Sequence, residues 1–346
     1  MVRDLDSGGV PIYLEFEMRR VNCPKCNGVK TETLEWLSKY GRFTKRFEEK
    51  IGRMARQMPL TEVAKLNQIS WDQAWEIEIE YMKDLLMRHP PAVNLRAIGI
   101  DELSIRKGQT YRTIAADLYE KRPIWMGGIG RMEDDLAQFY KEIGPERSAG
   151  IEIVVMDMWK PFRKATITHA PQASIVYDKF HVLKHLSFAL DEVRRQEYHR
   201  VNGKKRKYIK GQRYTLLSNK ANLDEEGRRS LRLLLKANKR LHKAYLLKEA
   251  FGQLWDYSYP AAARKFFDNW KLQLKWQRLG PYEKFAALVE RHWDGLVSYC
   301  HPDHKVSLGF MEGMNNKIRV IQRRAYGIRN EEYLRLKVLT SFIKVD

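Results

Sequence analysis

Asp101 and Asp157 are the residues of this sequence best placed to do chemistry together. Asp101 sits inside the apolar stretch Ala97-Ile98-Gly99-Ile100-Asp101-Glu102-Leu103-Ser104-Ile105, and Asp157 ends the apolar run Ile151-Glu152-Ile153-Val154-Val155-Met156. A single acid at a strand end ordinarily faces solvent at a sheet edge. Two on adjacent strands repel each other, and the repulsion is costly unless a cation neutralises the pair. Mg²⁺ or Mn²⁺ suits such a site, because a hard ion is held by one or two carboxylates and completed by water and phosphate oxygens. Two ions about 4 Å apart would activate an attacking oxygen and stabilise a leaving one during in-line displacement at phosphorus.

That chemistry needs a third carboxylate from another element. Glu312 is the candidate, in Gly309-Phe310-Met311-Glu312-Gly313-Met314-Asn315-Asn316-Lys317-Ile318-Arg319, where Ile318 and Ile321 mark an apolar helix face. Lys317, Arg319, Arg323 and Arg324 decorate the same helix, as expected near phosphate oxygens. Spacing leaves open whether Glu312 is a ligand or a surface residue with ordinary ion pairs. Glu102 and Asp117 are weaker alternates, expected to be solvated. Asp178 and His181 fit either a supporting role at the acids or a plain helix N-cap and a packed ring.

Stepping outward along the chain, the period of the apolar residues says what must hold these acids. Strands are expected at 97–105, 113–118 and 123–129, with a turn at Lys107-Gly108-Gln109, then a helix at 133–143 and a buried strand at 151–156. A helix, a strand at 173–177 and a long helix over 178–200 follow. Three antiparallel strands, then helix, strand, helix, strand and helix is the order of an RNase H-like core. The fold class is therefore α/β, a mixed five-stranded sheet flanked by helices.

Upstream, residues 43–87 read as helices. Leu60 to Leu66 and a helix opening at Ser70-Trp71-Asp72-Gln73 are separated by a short turn, and Ser70 with Gln73 fits a capping box. The pattern suits a helix-turn-helix that reads DNA, or a plain three-helix bundle. Residues 11–18 alternate apolar and polar like a half-buried strand and lead into Cys23-Pro24-Lys25-Cys26. One such pair is half of a zinc site, since the ion needs four ligands. Cys300, His301 and His304 would complete it only through an unexpected fold-back, so the pair is expected to stand without an ion. Residues 200–295 contain no convincing strand and read as an all-helical insertion. It carries the basic run Lys204-Lys205-Arg206-Lys207, expected to contact DNA backbone, although a solvated basic loop would look identical, and Trp255, Trp270, Trp276 and Trp293, expected as core. The expected divisions are 1–35, a partial zinc-ribbon-like element; 36–90, a helix-turn-helix domain; 91–200, the first part of the core; 201–300, the insertion; and 301–346, C-terminal helices of the core.

Composition supports a polyanionic partner. The 346 residues carry 63 Lys+Arg against 43 Asp+Glu, a formal charge of +20. Each phosphate neutralised by such residues releases condensed counterions, which favours nucleic acid as the partner. No run of about 18 apolar residues could span a bilayer, and the N-terminus lacks an apolar signal region, so a cytoplasmic, nucleoid-associated protein is expected. Three cysteines in a chain of this length cannot form a disulfide framework.

Four blocks carry a resemblance. Gly-Ile-Asp-Glu at 99–102, Asp-Met-Trp-Lys-Pro-Phe at 157–162, Asp-Lys-Phe-His at 178–181 and Glu-Gly-Met-Asn-Asn-Lys-Ile at 312–318 resemble the signature blocks of DDE transposases of bacterial insertion sequences. The match is with the ISL-three family, whose C-terminal block Arg323-Arg324-Ala325-Tyr326-Gly327 also resembles. The resemblance implies that Asp101, Asp157 and Glu312 are the catalytic acids and that a helical insertion precedes the last. It also implies that Asp178 and His181 form a supporting D-x-x-H motif, and that an insertion aromatic stacks on an extruded base. Cys23 and Cys26 match the second of the family's two zinc-binding pairs; the chain starts too late to include the first. The implied activity is metal-dependent cleavage and strand transfer at terminal inverted repeats and target DNA, by a homodimer or larger assembly. The rival expectations are an RNase H-fold nuclease without strand transfer and a catalytically decayed DNA-binding protein.

Overall fold

The computed structural model describes all residues except Tyr40, 107–109, Asn219, Leu308 and Asp346, and leaves out the side chains at 106, 110, 204, 205 and 220. The turn expected at Lys107-Gly108-Gln109 thus lies outside the described residues. Two compact units form: Met1–Pro91 with Asn315–Asp346, and Ala92–Met314.

The first unit opens with two small antiparallel pairs, β1 (Val2–Arg3) with β2 (Tyr13–Leu14), and β3 (Arg20–Cys23) with β4 (Gly28–Thr31). The alternation over 11–18 predicts a longer strand than forms. Its partner β1 offers two residues, so the ladder stops there. Three helices follow: α1 (Lys45–Gln57), α2 (Leu60–Leu66) and α3 (Trp71–Arg88). Thr44 caps α1 by accepting from the Phe47 N–H at 3.2 Å, and its hydroxyl donates to buried Asp4 at 2.7 Å. Hydrogen bonding from Arg46 then holds the Asp4 carboxyl well below the usual range, so the N-terminal strand is pinned to the start of α1. The helices meet over Phe43, Phe47, Ile51, Ala55, Val63 and Ile77. Ser70 and Gln73 form the expected capping box at α3, with reciprocal bonds of 3.1 and 2.9 Å.

In the second unit, β5 (Ala97–Arg106), β6 (Thr110–Asp117) and β7 (Arg122–Gly127) form an antiparallel meander. The helices α4 (Glu133–Ile143) and α5 (Pro145–Ala149) lead to β8 (Ile153–Met156), which pairs parallel with β5. After α6 (Lys160–His169), β9 (Ser174–Tyr177) pairs parallel with β8. The spatial order β7-β6-β5-β8-β9 puts the first strand at the centre. This is the mixed sheet of an RNase H-like core, and β8, with all four residues buried, explains the unbroken apolar run. The long α7 (Lys179–Arg200) follows.

The insertion is helical throughout its described residues: α8 (Lys204–Ile209), α9 (Arg213–Leu217), α10 (Glu225–Ala237), α11 (Lys239–Phe251), α12 (Pro260–Leu272), α13 (Gly280–Arg291) and α14 (Trp293–Ser298), with short 3₁₀ turns. Phe251 packs edge-on against Trp270 and Phe285, each at 4.9 Å, and Trp293 stacks on Phe267 at 5.0 Å. The basic run opens α8. Core packing accounts for Trp255, Trp270 and Trp293, whereas Trp276 is 87% exposed.

The division between units falls inside α15 (Phe310–Arg324), and α16 (Glu331–Thr340) closes the chain. Residues from Asn315 onward group with the first unit, although the sequence assigns 301–346 to the core. The cause is apolar: Tyr333 and Leu336 of α16 bury themselves with Met82 of α3. Beneath this contact the carboxylate of Glu78, 2% exposed, accepts from the Tyr333 hydroxyl and pairs with Lys337 at 2.6 Å. Among the described residues no helix is long and apolar enough to cross a membrane.

Two stability measurements follow from this packing. Glu78→Ala leaves the nearly buried Lys337 ammonium uncompensated, and urea unfolding of the full chain should show a loss of about 3 kcal/mol; a loss under 1 kcal/mol would show the ammonium finds water instead. Glu48 is the pH-sensitive case. Burial, with the nearby Glu80 carboxylate adding to it, pushes its carboxyl up to about 7 from 4.5. The fold therefore prefers the protonated acid, so this stabilisation is complete below pH 4.5 and is lost as pH rises through 7. Glu48→Gln should flatten that decline and stabilise the chain at pH 8 by on the order of 1–2 kcal/mol, after discounting for solvent screening.

Candidate active site

Parallel pairing between β5 and β8 creates the site. Gly99 aligns with Val155, so the two strands carry Asp101 and Asp157 forward from matched positions on neighbouring, centrally placed strands. Each carboxylate is fixed from its own backbone: Asp101 Oδ1 accepts from the Glu102 N–H at 2.7 Å, and Asp157 Oδ1 from the Met158 N–H at 2.6 Å. Asp178, at the end of β9, completes a row of three acids on three consecutive strands. It is 5% exposed and caps α7 by accepting from the Phe180 N–H at 2.9 Å.

The electrostatics record how tightly the acids are gathered. Burial raises the Asp101 carboxyl to about 6; His181 and the Glu102 N–H counteract this, while the Asp178 and Asp157 charges add to it. Burial by itself would lower the His181 pKa, but Asp178, Asp157 and Asp101 together raise it above its ordinary value. Its Nδ1 stands 3.3 Å from Asp178 Oδ2, an ion pair when the ring is protonated. The three acids thus favour the protonated form of this ring. One turn along α7, His185 also feels the Asp157 charge, although burial keeps its pKa below the ordinary value.

A second acid belongs to this neighbourhood and was expected to be solvated. The Glu102 side chain is 22% exposed and pairs with Arg131 at 3.3 Å. Burial raises its pKa against the pull of Arg131, and Asp157 adds to the rise. Arg131 is held in turn by rings, lying 4.8 Å over Trp159 and 5.2 Å over Tyr111, while the Trp159 indole donates to the Arg131 carbonyl at 2.6 Å. Asp117 also departs from expectation. It is 3% exposed because its Oδ1 accepts from the Tyr119 and Glu120 N–H groups at 2.8 and 3.0 Å, closing the turn after β6.

Glu312 is exposed, in the first turn of α15. That turn is seated on the sheet by Met311, which is 2% exposed. A Cβ at Gly99 would stand 2.5 Å from Met311 Sδ and 2.9 Å from Leu118 Cδ2, so glycine here is what admits the helix against β5, two residues before Asp101. The structure gathers Asp101, Asp157, Asp178 and His181, and leaves Glu312 on the neighbouring turn. Among the described residues no three His, Cys, Asp or Glu side chains form a group that could hold a metal ion.

The chemistry of the donors nevertheless fits a hard divalent cation. Asp101 and Asp157 offer carboxylate oxygen, each anchored by a backbone amide, at a half-buried place where Asp157 and Asp178 both raise the cost of the Asp101 charge. Cys23 and Cys26 are free thiols at the turn between β3 and β4, with Cys300 buried elsewhere. Backbone N–H groups of Cys26 and Lys25 lower the Cys23 thiol pKa, which is how a zinc knuckle would prepare a ligand, but two thiols are half of a set.

The expected phosphate-contacting cations divide into two kinds. Lys207, Arg319 and Arg323 are exposed. Arg206 instead lies 4.2 Å over the Tyr198 ring, and the side chains of Lys204 and Lys205 fall outside the described residues. Lys317 is exposed too but donates to the Ser341 carbonyl, and half-buried Arg324 donates to that of Arg56.

Comparison with known proteins agrees along the whole chain. A family model described as "Transposase", of the DDE type of ISL3, matches residues 98–338, and one described as "Helix-turn-helix domain of transposase family ISL3" matches 32–81. The transposase for insertion sequence element IS1001 of Bordetella parapertussis is 30% identical over 344 residues, covering 99% of this chain and 84% of its own length. The transposase for insertion sequence element IS1557 of Mycobacterium tuberculosis is 28% identical over 355 residues, covering 96% and 79%.

The contact of Met311 with Gly99 can be measured directly. Gly99→Ala should cost about 1–3 kcal/mol by overpacking. Adding Met311→Ala opens room for the new methyl, so the double variant should lose clearly less than the sum of the two singles. Strict additivity would mean that α15 does not rest on β5 at this point.

Proposed function

We propose, on the premise that this chain belongs to the ISL3 family of transposases, that it binds the terminal inverted repeats of its element, cuts the DNA there and joins the freed ends to target DNA. The observation that carries this reading is the gathering of Asp101 and Asp157, two residues beyond the paired Gly99 and Val155 on parallel β5 and β8, with the Asp157 charge raising the cost of the charge at Asp101. Asp101, Asp157 and Glu312 would hold Mg²⁺ or Mn²⁺, two ions in all. When bound, the metal supplies charge neutralisation at phosphorus and lowers the pKa of the attacking water or 3′-hydroxyl.

The remaining work falls to this chain's own groups. Asp101 must be ionised to act as a ligand, and a cation in the site reverses the rise that burial and the neighbouring acids impose. Asp178 fixes the end of β9 through its cap on α7 and orients His181, whose ring offsets the acids when it is protonated. Arg131, braced by Trp159 and Tyr111, holds Glu102 aside from the pair. Trp276, 87% exposed on the insertion, suits stacking on an extruded base. The helix-turn-helix of residues 32–81 would recognise the repeats. Two element ends must be cut in concert, so two copies are expected on the DNA.

The test is cleavage of duplexes carrying the element's inverted repeats, with Mg²⁺, with Mn²⁺ and with EDTA. Asp157→Ala and Glu312→Ala should each lower cutting by at least about 10³-fold while the repeats are still bound; a mis-set support, as in Asp178→Ala, should cost about 10–100-fold. Joined products establish strand transfer, and cutting without joining leaves a nuclease. Cutting at an unchanged rate in Asp157→Ala would sink the three-carboxylate mechanism.

A further inference from the structure

The first unit contains a cavity of about 1190 Å³ where the end of α1 meets the second half of α15 and the last residues of the chain. We propose that Arg56, Lys317 and Arg324 on its wall form a binding site for a backbone phosphate of duplex DNA. The proposal rests on the DNA-binding reading given above and assigns that contact to a defined place.

The three cations come together without an acid. Arg56 Nη2 donates to the carbonyls of Thr340, at 3.3 Å, and Ile343; Arg324 Nη1 donates to the Arg56 carbonyl at 3.0 Å; Lys317 donates to the Ser341 carbonyl and lies 4.1 Å from the Phe342 ring centroid. Carbonyls orient a cation but do not neutralise it, and among the described residues none of the three has a carboxylate partner. Arg56 Nη1 is buried with no hydrogen-bond partner at all. Burial lowers the Lys317 pKa, and the positive charges of Arg56 and Arg324 lower it further. Three like charges held this way destabilise the unit unless an anion joins them. The same cavity shows what a compensated cation looks like, since Lys337 has Glu78 at 2.6 Å.

A phosphodiester fits the chemistry, because guanidinium forks match phosphate oxygens and lysine adds a point charge. Duplex DNA is favoured over a small phosphate compound by the surroundings. Exposed Arg329 and Lys344 extend the positive lining beyond the three, giving the continuous charge that a backbone tracks. The site also answers a difficulty in this unit. The second helix of the helix-turn-helix, α3, has no cation to spare: its Lys83 and Arg88 are paired with Glu80 and Asp84, its Glu76 and Glu78 take up Arg42 and Lys337, and its Asp72 is exposed. Attraction has to come from elsewhere in the unit, and this cluster supplies it.

Fluorescence anisotropy of the full chain on a labelled inverted-repeat duplex and on an unrelated duplex, in EDTA from 50 to 200 mM salt (assay conditions, roughly the range over which phosphate contacts are lost), tests this. Lys317→Gln and Arg324→Gln should each weaken both duplexes by about the same factor, roughly five- to tenfold, and lower the log–log salt slope by about 1. Lys317→Arg should restore both. Variants that melt like wild type yet bind both duplexes with unchanged affinity and slope would overturn the proposal, as would a loss confined to the inverted repeat, the mark of base reading. A melting-temperature rise with inorganic phosphate that the variants abolish, with DNA affinity untouched, would assign the cluster to free phosphate and overturn it too. A wild-type chain that binds neither duplex would instead refute the DNA-binding reading itself.

Discussion

Repulsion among carboxylates organises the catalytic half of this protein. Parallel pairing of β5 with β8, and of β8 with β9, brings Asp101 in the middle of β5 together with Asp157 and Asp178 just past β8 and β9, and burial raises the cost of the Asp101 charge there. Everything adjacent can be understood as a response to that cost. Backbone amides take one oxygen each from Asp101 and Asp157, the acids hold the His181 pKa above its ordinary value beside Asp178, and Arg131 occupies Glu102. These measures lessen the repulsion without removing it.

The second unit is built to keep those strand ends fixed while a long insertion interrupts the chain. Gly295 of α14 has no room for a side chain because the Tyr177 ring, at the end of β9, already fills the space. Arg163 of α6 bridges Asp294 at 2.7 Å and the Tyr177 hydroxyl at 3.3 Å. The insertion is thereby anchored to the strand that carries Asp178. Gly99 plays the corresponding part for α15, letting Met311 settle on the sheet beside the acids. Two glycines, each required by a close approach, thus set the positions of the elements flanking the site.

Charge is distributed very unevenly about the first unit. Its α3 is acidic on the exposed side and buries Glu78 beneath α16, while cations collect where α1 ends and α15 continues. The net charge of +20 therefore says little about which surface meets DNA. Pairing decides it, because a lysine or arginine already satisfied by a carboxylate has little left to offer a phosphate.

Much of this was legible in the residues. The order of apolar periods gave the five strands and their helices, since alternation and helical spacing are local properties of a chain. The four sequence blocks marked Asp101, Asp157, Asp178 and His181, which the fold does gather, and Glu312, which it leaves exposed on the neighbouring turn of α15. Glu102 departs from the expected solvation because Arg131, 29 positions away, pairs with it, and Asp117 because it folds back onto the amides of its own turn. The grouping of residues after Asn315 with the N-terminal helices had no local sign either. Arg56 and Thr340 stand 284 positions apart and touch only because the apolar faces of α3 and α16 seek each other. The sequence by itself determined which elements form and which acids end the strands, because those depend on neighbours along the chain. Which charges are paired, which are buried, and which are left for a ligand was decided only by tertiary packing, because Coulomb energy and desolvation depend on neighbours in space.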